Sequence, residues 1–500
     1  MLKSWLNDCE SHEICNSLLP ATFKSRLPTR VIDLTGSPDL PIDADDIVIR
    51  LREVEEGEVG TYTALSHCWG ADSTSHFTTE IGTLDARKEK IDFGSLPLTY
   101  REAILVTLYL GIRYLWIDSV CIIQDSREDW EIESAKMSNV YANAHLTLAA
   151  TQSKTPQEGL LNPFEKARSC NGVGEDVIVR METHMSVDGS SDPLNTRGWT
   201  LQEAVLSSRI ISFGTEQWLW KCPSRHATED GLVDGPASSI DGVTQWVNLA
   251  KQGASGDKKL YLTHWYMMIM NYAKRHLSHR SDKAAAIAGL VSMFVKATGY
   301  RYFAGLWMED LANGLLWEAD SRGVTRDSGS IPSWSWLSTH GRIRGYTFNE
   351  NRSLVELLDV EEQWEGTPLV SLLKVARLSI KAPIFSVRLG KRSVTELSRH
   401  TVVDIADNTE TLGEAFLDTQ LADDSGVLTI LCLLIRDEAK HDQWSALLVV
   451  PDANERKTDD TNIFRRIGTA VLWKISKFLD DKRDGNEIRA KAIQSPVVLV

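Results

Sequence analysis

The chain has 500 residues, of which 42% are hydrophobic and 25% charged, a balance typical of a soluble globular protein. This length predicts two or three domains. A net charge of −15 argues against a general nucleic-acid binder and against binding to anionic membranes.

The cysteines and the apolar segments indicate a cytoplasmic protein with no membrane partner. The seven cysteines are scattered and odd in number, which favours a reducing compartment over a disulfide framework. The N-terminus, MLKSWLNDCESHEIC, lacks an apolar segment of signal-peptide length. The most apolar run, GVLTILCLLI at 426–435, is too short to span a bilayer.

Residues 1–61 read as an irregular lead-in segment with one group of potential metal ligands. Cys9, His12 and Cys15 are evenly spaced, but a zinc site needs a fourth ligand, and nothing nearby in the sequence clearly supplies one. We therefore interpret these side chains as packing residues and expect no metal.

The next part of the chain alternates between strand and helix patterns. A Thr99/Glu102 pair has the spacing of a capping box at the start of the first helix. Strand alternating with helix is typical of a parallel α/β sheet. The expected strands lie at 47–53, 62–70, 112–123 and 145–151, and the expected helices at 96–111 and 127–142.

Polar side chains gather where two of these strands end. The 62–70 strand ends with Ser66, His67 and Trp69, and Asp118 lies towards the end of the 112–123 strand. Open α/β sheets bind ligands beyond the carboxyl ends of their strands. A buried carboxylate is costly unless it is paired or functional. Asp118 therefore either points at a ligand, or it caps a loop or pairs with an arginine such as Arg113 or Arg197, and both interpretations stay open.

The remainder of the chain divides into three stretches. Residues 160–195 are rich in loop-forming residues, and a second capping box, Thr200 with Glu203, begins a short helix that the strand RIISF follows. Capping is the preferred explanation of Glu203. Residues 205–340 are expected to be mainly helical and residues 341–500 β-rich. The sixteen tryptophans predict large aromatic cores.

Three separated blocks together resemble a known family. The blocks are YTALSHCWG (62–70), the segment 96–151, and RGWTLQE (197–203). In this order they resemble the fungal heterokaryon-incompatibility (HET) domain over residues 62–204. A common version of the first block has tyrosine where this chain has His67. The lead-in WLNDCESHEIC and the motif PSWSW at 332–336 resemble the flanks of many HET proteins.

The resemblance implies a function and a fold. HET domains are associated with fungal nonself recognition and programmed cell death, so self-association or an incompatibility partner protein is expected. They have been proposed to be distant relatives of TIR domains, some of which cleave NAD at the nicotinamide–ribose bond. A TIR-like α/β fold is therefore expected, with NAD or another nucleotide as substrate and no cofactor. In such enzymes the catalytic glutamate lies in a Trp-x-x-Glu-like context, which corresponds here to Trp130 and Glu133.

The residues themselves are compatible with that chemistry. A carboxylate beside an indole can stabilise the positive charge that develops on ribose when nicotinamide leaves. Glu133 and Asp118 are the catalytic candidates, although Glu133 is equally explained as a flank residue paired with Lys136. The candidate substrate-binding residues are Ser66, His67, Trp69, Trp130, Arg197 and Trp199.

Other functions follow from other interpretations of the same motifs. The chain contains neither GxGxxG nor GxxxxGK[ST], which argues against a Rossmann dehydrogenase and a P-loop NTPase. Cysteine hydrolase chemistry with Cys68 or Cys121 as the nucleophile is disfavoured. For Cys68 the reason is that His67 is adjacent to it on a strand, and adjacent side chains point to opposite faces. A non-catalytic signalling or self-association scaffold is the main alternative, and a HET-like metabolic enzyme is a weaker one.

Overall fold

The computed structural model of the chain forms two compact units. The first comprises Met1–His264 and Arg275–Ala297, and the second Trp265–Lys274 and Thr298–Val500. Most of the expected loop at 160–195 lies outside the described residues. The structure describes residues 1–18, 24–38, 43, 46–71, 76–161, 192–231, 234–236, 258–320, 325–326, 331–346, 352–392, 399–405, 410–418, 429–438, 443–452, 463–473, 479–480, 489–490 and 493–500.

The first unit is built on a mixed sheet. Its strands are β1 (Ser25–Arg26), β2 (Arg30–Asp33), β3 (Arg50–Glu53), β4 (Val59–Gly60), β5 (Tyr62–Ser66), β6 (Tyr114–Trp116), β7 (Leu146–Ala149), β8 (Ile210–Phe213), β9 (Trp218–Lys221), β10 (Arg225–Thr228) and β11 (Asp234–Pro236). Nine of them form one sheet in the order β11-β10-β9-β8-β7-β5-β6-β2-β3, and β1 pairs with β4.

The expectation of a parallel sheet is correct only for the centre of this sheet. Strands β6, β5, β7 and β8 are parallel to one another. The pairings of β6 with β2, of β2 with β3, of β8 with β9 and onward to β11 are antiparallel. Strands β8 to β11 follow one another along the chain. Short turns join β8 to β9 and β9 to β10, and a short turn can join only antiparallel strands. These four strands also correct the expectation that the chain becomes mainly helical directly after residue 204.

The described part of residues 1–298 contains nine helices, of which the two in the lead-in, expected to be irregular, and those at 84–89 and 118–121 were not expected. The nine helices are α1 (Leu2–Ser11), α2 (Glu13–Leu18), α3 (Leu84–Glu89), α4 (Leu98–Tyr109), α5 (Asp118–Cys121), α6 (Arg127–Asn143), α7 (Thr200–Leu206), α8 (Lys258–Tyr272) and α9 (Ala288–Thr298). Single 3₁₀ turns lie at Ile81–Thr83, Phe93–Ser95, Pro193–Thr196, Arg280–Lys283 and Ala285–Ile287. Strands β5 and β7 are buried at every residue, as parallel central strands are when both faces of the sheet are covered.

The expected strand at 112–123 is wrong in its second half. β6 ends at Trp116, and the chain turns into α5 at Asp118. The Asp118 carboxylate accepts a hydrogen bond from the backbone N–H of Ser119 at 2.8 Å, and the N–H of Cys121 bonds the carbonyl of Ile117 at 2.8 Å. A short acidic side chain at the start of a helical turn satisfies donors that a strand would need a neighbour to satisfy.

The second unit is β-rich, as expected for the C-terminal region. It contains the short helix α10 (Leu311–Gly314) and 3₁₀ turns at Met308–Asp310 and Trp336–Ser338. Its strands are β12 (Tyr302–Phe303), β13 (Leu306–Trp307), β14 (Glu318–Ala319), β15 (Thr325–Arg326), β16 (Thr339–His340), β17 (Ile343–Arg344), β18 (Arg352–Ser353), β19 (Glu356–Trp364), β20 (Leu373–Arg392), β21 (Arg399–Val403), β22 (Thr411–Leu417), β23 (Thr429–Glu438), β24 (Gln443–Pro451), β25 (Ile463–Leu472), β26 (Leu479–Asp480), β27 (Arg489–Ala490) and β28 (Ile493–Leu499).

The long strand β20 closes the main sheet of this unit. The pairings run β20-β23-β24-β25-β22-β21 and return to β20, so these six strands form a ring. Strand β28 pairs with both β20 and β25. Among the described residues of the whole chain, no helix combines the length and apolar character needed to cross a bilayer.

The tryptophans of the PSWSW motif are buried in the second unit and bond to its backbone. The indole N–H of Trp334 donates to the carbonyl of Leu499 at 3.1 Å, and that of Trp336 donates to Gly305 at 2.7 Å. Trp317 donates to the Trp334 carbonyl at 2.9 Å. Each indole therefore contributes buried apolar area and satisfies its single donor, as the expectation of aromatic cores requires.

Candidate functional site

The carboxyl ends of β5 and β6 bring the first group of predicted residues together. The strands are parallel, with Ala64 opposite Trp116. Ser66 and Asp118 each lie two residues further along, so both fall at the same edge of the sheet. We call the polar side chains gathered here the edge cluster; its members are Ser66, His67, Trp69, Tyr100, Asp118, Ser119, Arg197 and Glu203.

Asp118 is held in the edge cluster by neutral donors. The indole N–H of Trp69 donates to one carboxylate oxygen at 2.8 Å, and the backbone N–H of Ser119 donates to the other at 2.8 Å. Nδ1 of His67 lies 3.7 Å from Asp118. Within the described part of the chain, Asp118 has no ion pair with arginine or lysine. The Asp118 side chain is 20% exposed, so a ligand can reach it.

His67 is buried and neutral at physiological pH. Burial lowers its pKa to about 4, and the nearby charge of Asp118 only partly opposes that shift. Its Nε2 lies 2.8 Å from the Tyr100 hydroxyl, which in turn lies 2.8 Å from the hydroxyl of Ser119. In the described part of the molecule its Nδ1 has no hydrogen-bond partner. His67 therefore does not supply a positive charge to neutralise Asp118.

Glu203 is the member of the edge cluster that the sequence led us to misinterpret. Trp199, not Thr200, is the N-cap of α7, and no side chain caps this helix. Instead the buried Glu203 carboxyl accepts a hydrogen bond from the hydroxyl of Ser66. Tertiary contact has thus overridden a local pattern.

The pKa of Glu203 is raised to about 7, first by burial and second by the negative charge of Asp118. The Ser66 hydrogen bond and the charge of Arg197 act in the opposite direction without cancelling the shift. Within the described part of the chain, Glu203 forms no ion pair. A carboxyl group in this state can give up or accept a proton near neutral pH.

Arg197 lies half-buried beside this group. Its Nη1 donates to the carbonyl of His67 at 3.3 Å. The following residue, Gly198, donates its N–H to His276 at 2.7 Å, and a Cβ there would lie only 2.4 Å from Leu277. Any larger residue after Arg197 would force the Leu277 side chain to move, so glycine suits this close approach of the chain.

Glu133 lies elsewhere, on α6. Its carboxylate is 3.0 Å from the Lys136 ammonium, and its side chain is 3% exposed, against 46% for the lysine. Lys136 also donates to the hydroxyl of Thr29 at 2.9 Å. The pairing that we considered as the alternative for Glu133 is therefore present. This pairing does not test the catalytic role that the family resemblance implies for Glu133.

Trp130 and Trp199 form a separate aromatic pair. Their ring centroids are 6.3 Å apart in an edge-to-face arrangement. The indole N–H of Trp199 donates to Asp282 at 3.2 Å. Of the predicted site residues, the structure thus gathers Ser66, His67, Trp69, Asp118 and Arg197 in one cluster and these two tryptophans in a second contact.

The cysteines near the site are not activated nucleophiles. Burial raises the pKa of Cys68, and it raises the pKa of Cys121 to about 12. A reactive thiol needs a lowered pKa and access to solvent. This agrees with our sequence interpretation, which disfavoured cysteine hydrolase chemistry.

Comparison with known proteins agrees with the family resemblance. No curated protein and no solved structure shows significant similarity to the chain. Residues 62–203 match the family model described as heterokaryon incompatibility protein (HET). The match includes every residue of the edge cluster, from Ser66 at its start to Glu203 at its end. The chain therefore carries the domain of heterokaryon-incompatibility proteins at residues 62–203.

Proposed function

We propose that this chain is an effector of cell death in heterokaryon incompatibility and that its edge cluster hydrolyses the nicotinamide–ribose bond of NAD. One observation carries the proposal: two neighbouring carboxyl groups, Asp118 and Glu203, lie at the carboxyl edge of parallel strands and are held by neutral donors. Carboxyl groups in this arrangement are typical of catalytic sites. A distant TIR-like relationship is part of the proposal.

The two carboxyl groups take different roles in the proposed reaction. The bond between C1′ of ribose and the nicotinamide nitrogen breaks, and its electron pair leaves with nicotinamide. Asp118, which is partly exposed, stabilises the positive charge left on the ribose. Water adds to C1′ and passes its proton to Glu203, whose pKa of about 7 suits a general base at neutral pH. The products are nicotinamide, ADP-ribose and a proton.

The half-buried members of the edge cluster are the proposed substrate contacts. The planar guanidinium of Arg197 suits the pyrophosphate of a dinucleotide. The indole of Trp69 offers an aromatic surface for a ring of the substrate. Trp130 and Trp199 are proposed as a second aromatic surface. The reaction needs no metal or organic cofactor. A cytoplasmic location is part of the proposal and agrees with the free cysteines of the described residues.

The test is nicotinamide release from NAD by the purified full-length chain at high protein concentration. We expect release by the wild type, loss of about 100-fold or more in Glu203→Gln, and near wild-type release in Glu133→Gln. Both substitutions keep the shape of the side chain, and circular dichroism and thermal melting check that each variant is folded. Loss in Glu133→Gln alone would move the catalytic role to α6. No release from the folded wild type would contradict the hydrolase.

A non-catalytic scaffold is the second candidate. The observation that favours it is that both oxygens of Asp118, as well as Glu203, already accept hydrogen bonds from the protein. In that case the edge cluster holds the fold, and self-association or an incompatibility partner carries the signal. Loss of viability on expression in a fungal host should then persist in a folded Glu203→Gln variant, whereas the hydrolase proposal requires the toxicity to disappear.

A further inference from the structure

Four potential metal ligands from two distant parts of the first unit come together at one point. They are Cys9, His12 and Cys15 of the lead-in and Cys222 of the turn between β9 and β10, and one ligand atom from each lies within 4.8 Å of the others. Nδ1 of His12 is 3.6 Å from the sulfur of Cys15 and 3.7 Å from that of Cys222. We propose that these four side chains bind one zinc ion in a structural site.

The distances from the His12 nitrogen to two of the sulfurs fit a tetrahedral zinc site. With Zn–S near 2.3 Å and Zn–N near 2.05 Å, tetrahedral angles place two sulfurs about 3.8 Å apart and a nitrogen about 3.6 Å from each sulfur. The two nitrogen–sulfur distances of His12 are close to that value. A set of three cysteines and one histidine is a common composition of structural zinc sites.

A disulfide does not explain the group. A disulfide joins two sulfurs at about 2.05 Å, and the three cysteines of the group, Cys9, Cys15 and Cys222, are free. A disulfide would also leave His12 without a reason to face two sulfurs at once. Packing of apolar thiols explains the burial of the cysteines but not the convergence of an imidazole nitrogen on two of them.

Local structure presents each ligand from a different element. Cys9 lies on α1, and Cys15 lies on α2. His12 is the extended residue between the two helices, with φ −75° and ψ 128°. Cys222 lies in the tight turn between β9 and β10, where its N–H bonds the carbonyl of Arg225 at 2.9 Å. The fourth ligand that the sequence did not reveal is thus 210 positions beyond His12.

The surroundings compensate the charge of a bound ion. Three thiolates and one Zn²⁺ sum to a charge of −1, which is costly to bury alone. The Nε of the buried Arg209 donates to the sulfur of Cys9 at 3.2 Å and supplies the opposite charge. The hydroxyl of Ser224 lies 3.4 Å from the sulfur of Cys15, at a distance suited to donation to a thiolate. Outer partners of this kind orient the ligands of metal sites.

The site is structural because it is closed. Four protein ligands complete the coordination of zinc and leave no position for water or substrate. The ion would join the lead-in helices to the β9–β10 turn. Since these segments are distant in the chain, zinc binding would contribute directly to the stability of the first unit.

The test is the metal content of the full-length chain, purified under reducing conditions without chelator and analysed by native mass spectrometry and elemental analysis. We expect about one zinc per chain in the wild type and less than about a tenth of that in Cys222→Ser. The matched control is Cys121→Ser, which removes another buried free thiol of the same unit and should keep the zinc. A folded wild type without zinc, or a Cys222→Ser variant that keeps it, would overturn the site.

A second measurement uses only the wild type, in case Cys222→Ser does not fold. Cobalt exchanged for zinc should give the visible absorption of a tetrahedral ion with thiolate ligands, and removal of the metal with a chelator should lower the melting temperature. Failure of the folded, metal-free chain to take up either ion would contradict the proposal. Mass-spectrometric detection of a disulfide between two of the ligands in the reduced preparation would do the same.

Discussion

Two buried carboxyl groups, Asp418 in the second unit and Glu203 in the first, are held in opposite ways. The Asp418 side chain is 1% exposed, and Arg466 binds it with two nitrogens, Nε at 2.9 Å and Nη2 at 3.1 Å. Glu203 accepts a hydrogen bond from the Ser66 hydroxyl, and its pKa is raised to about 7. Both carboxyl groups are buried, but of the two only Asp418 has a cation as its direct partner.

The difference separates a structural carboxylate from a reactive one. Arg466 also donates to the carbonyls of Leu315, at 2.6 Å, and Trp317, and its guanidinium lies 3.5 Å from the centre of the Trp317 ring. This pair connects elements of one unit, and both charges are neutralised. The edge cluster instead keeps two carboxyl groups near each other, which costs stability and leaves a group able to exchange protons near neutral pH.

Removing the cation of the structural pair should have the largest effect. Arg466→Met leaves Asp418 buried without its partner, and we expect a loss of about 3–5 kcal/mol in the free energy of unfolding. Chemical denaturation followed by circular dichroism measures it. The control is Arg377→Met in the same unit, which breaks an exposed pair with Glu361 of 3.0 Å and should cost no more than about 1 kcal/mol. Equal losses of unfolding free energy in the two variants would show that the buried pair is no more important to stability than the exposed one.

Replacing Glu203 should change how stability depends on pH. The folded chain keeps the Glu203 proton up to about pH 7, whereas the unfolded chain releases it near its ordinary pKa. Between these values the folded state binds more protons, so this contribution to stability is present at low pH and is lost as pH rises through the folded pKa. Relative to Glu203→Gln, the wild type should lose about 3 kcal/mol between about pH 4.5 and about pH 7.5.

The measurement is the unfolding free energy of both proteins in buffers across that range. Subtracting the unfolding free energy of the variant from that of the wild type at each pH removes the contribution of other titrating groups. One of these is His67, whose pKa is lowered to about 4 by burial. A difference between the two proteins that does not change with pH would show that Glu203 is ionised throughout. It would then resemble Asp418, and the comparison would fail.

The smallest effect is expected at Glu133. This carboxylate already has Lys136 as a cationic partner at 3.0 Å, and the lysine can turn to solvent when the charge is removed. Glu133→Gln keeps the volume of the buried side chain and leaves no buried charge unpaired, so it should change the free energy of unfolding by no more than about 1 kcal/mol. Thermal and chemical denaturation of the variant beside the wild type check this. A large loss would place Glu133 with the structural carboxylates.

The sequence predicted those features that depend on residues close together in the chain, such as alternating apolar residues and polar residues at the ends of strands. The alternation of strands and helices predicted the parallel centre of the first sheet, and the polar residues at strand ends predicted that Ser66 and Asp118 share an edge. Alternating apolar residues predicted the β-rich second unit. These patterns reflect burial of one face of a helix or of both faces of a strand, which neighbouring residues report directly.

The failures concern contacts between distant residues. Glu203 has the spacing of a capping box after Thr200, yet its partner is Ser66, 137 positions away. Cys222 is equally remote from the ligands it joins. The strand expected at 112–123 ended early because Asp118 finds its donors in a helical turn and in Trp69. In each case the deciding partner is distant in the chain or lies on another element, and a local sequence pattern does not report such a contact.

The most direct test of the account is the pH dependence of nicotinamide release by the full-length wild type. With Glu203 as the general base, the rate should rise between about pH 5 and about pH 8 with a midpoint near its pKa of about 7. Glu203→Gln should abolish this dependence together with most of the activity. An active enzyme whose profile is unchanged in Glu203→Gln, or a folded wild type that releases no nicotinamide at any pH, would contradict it.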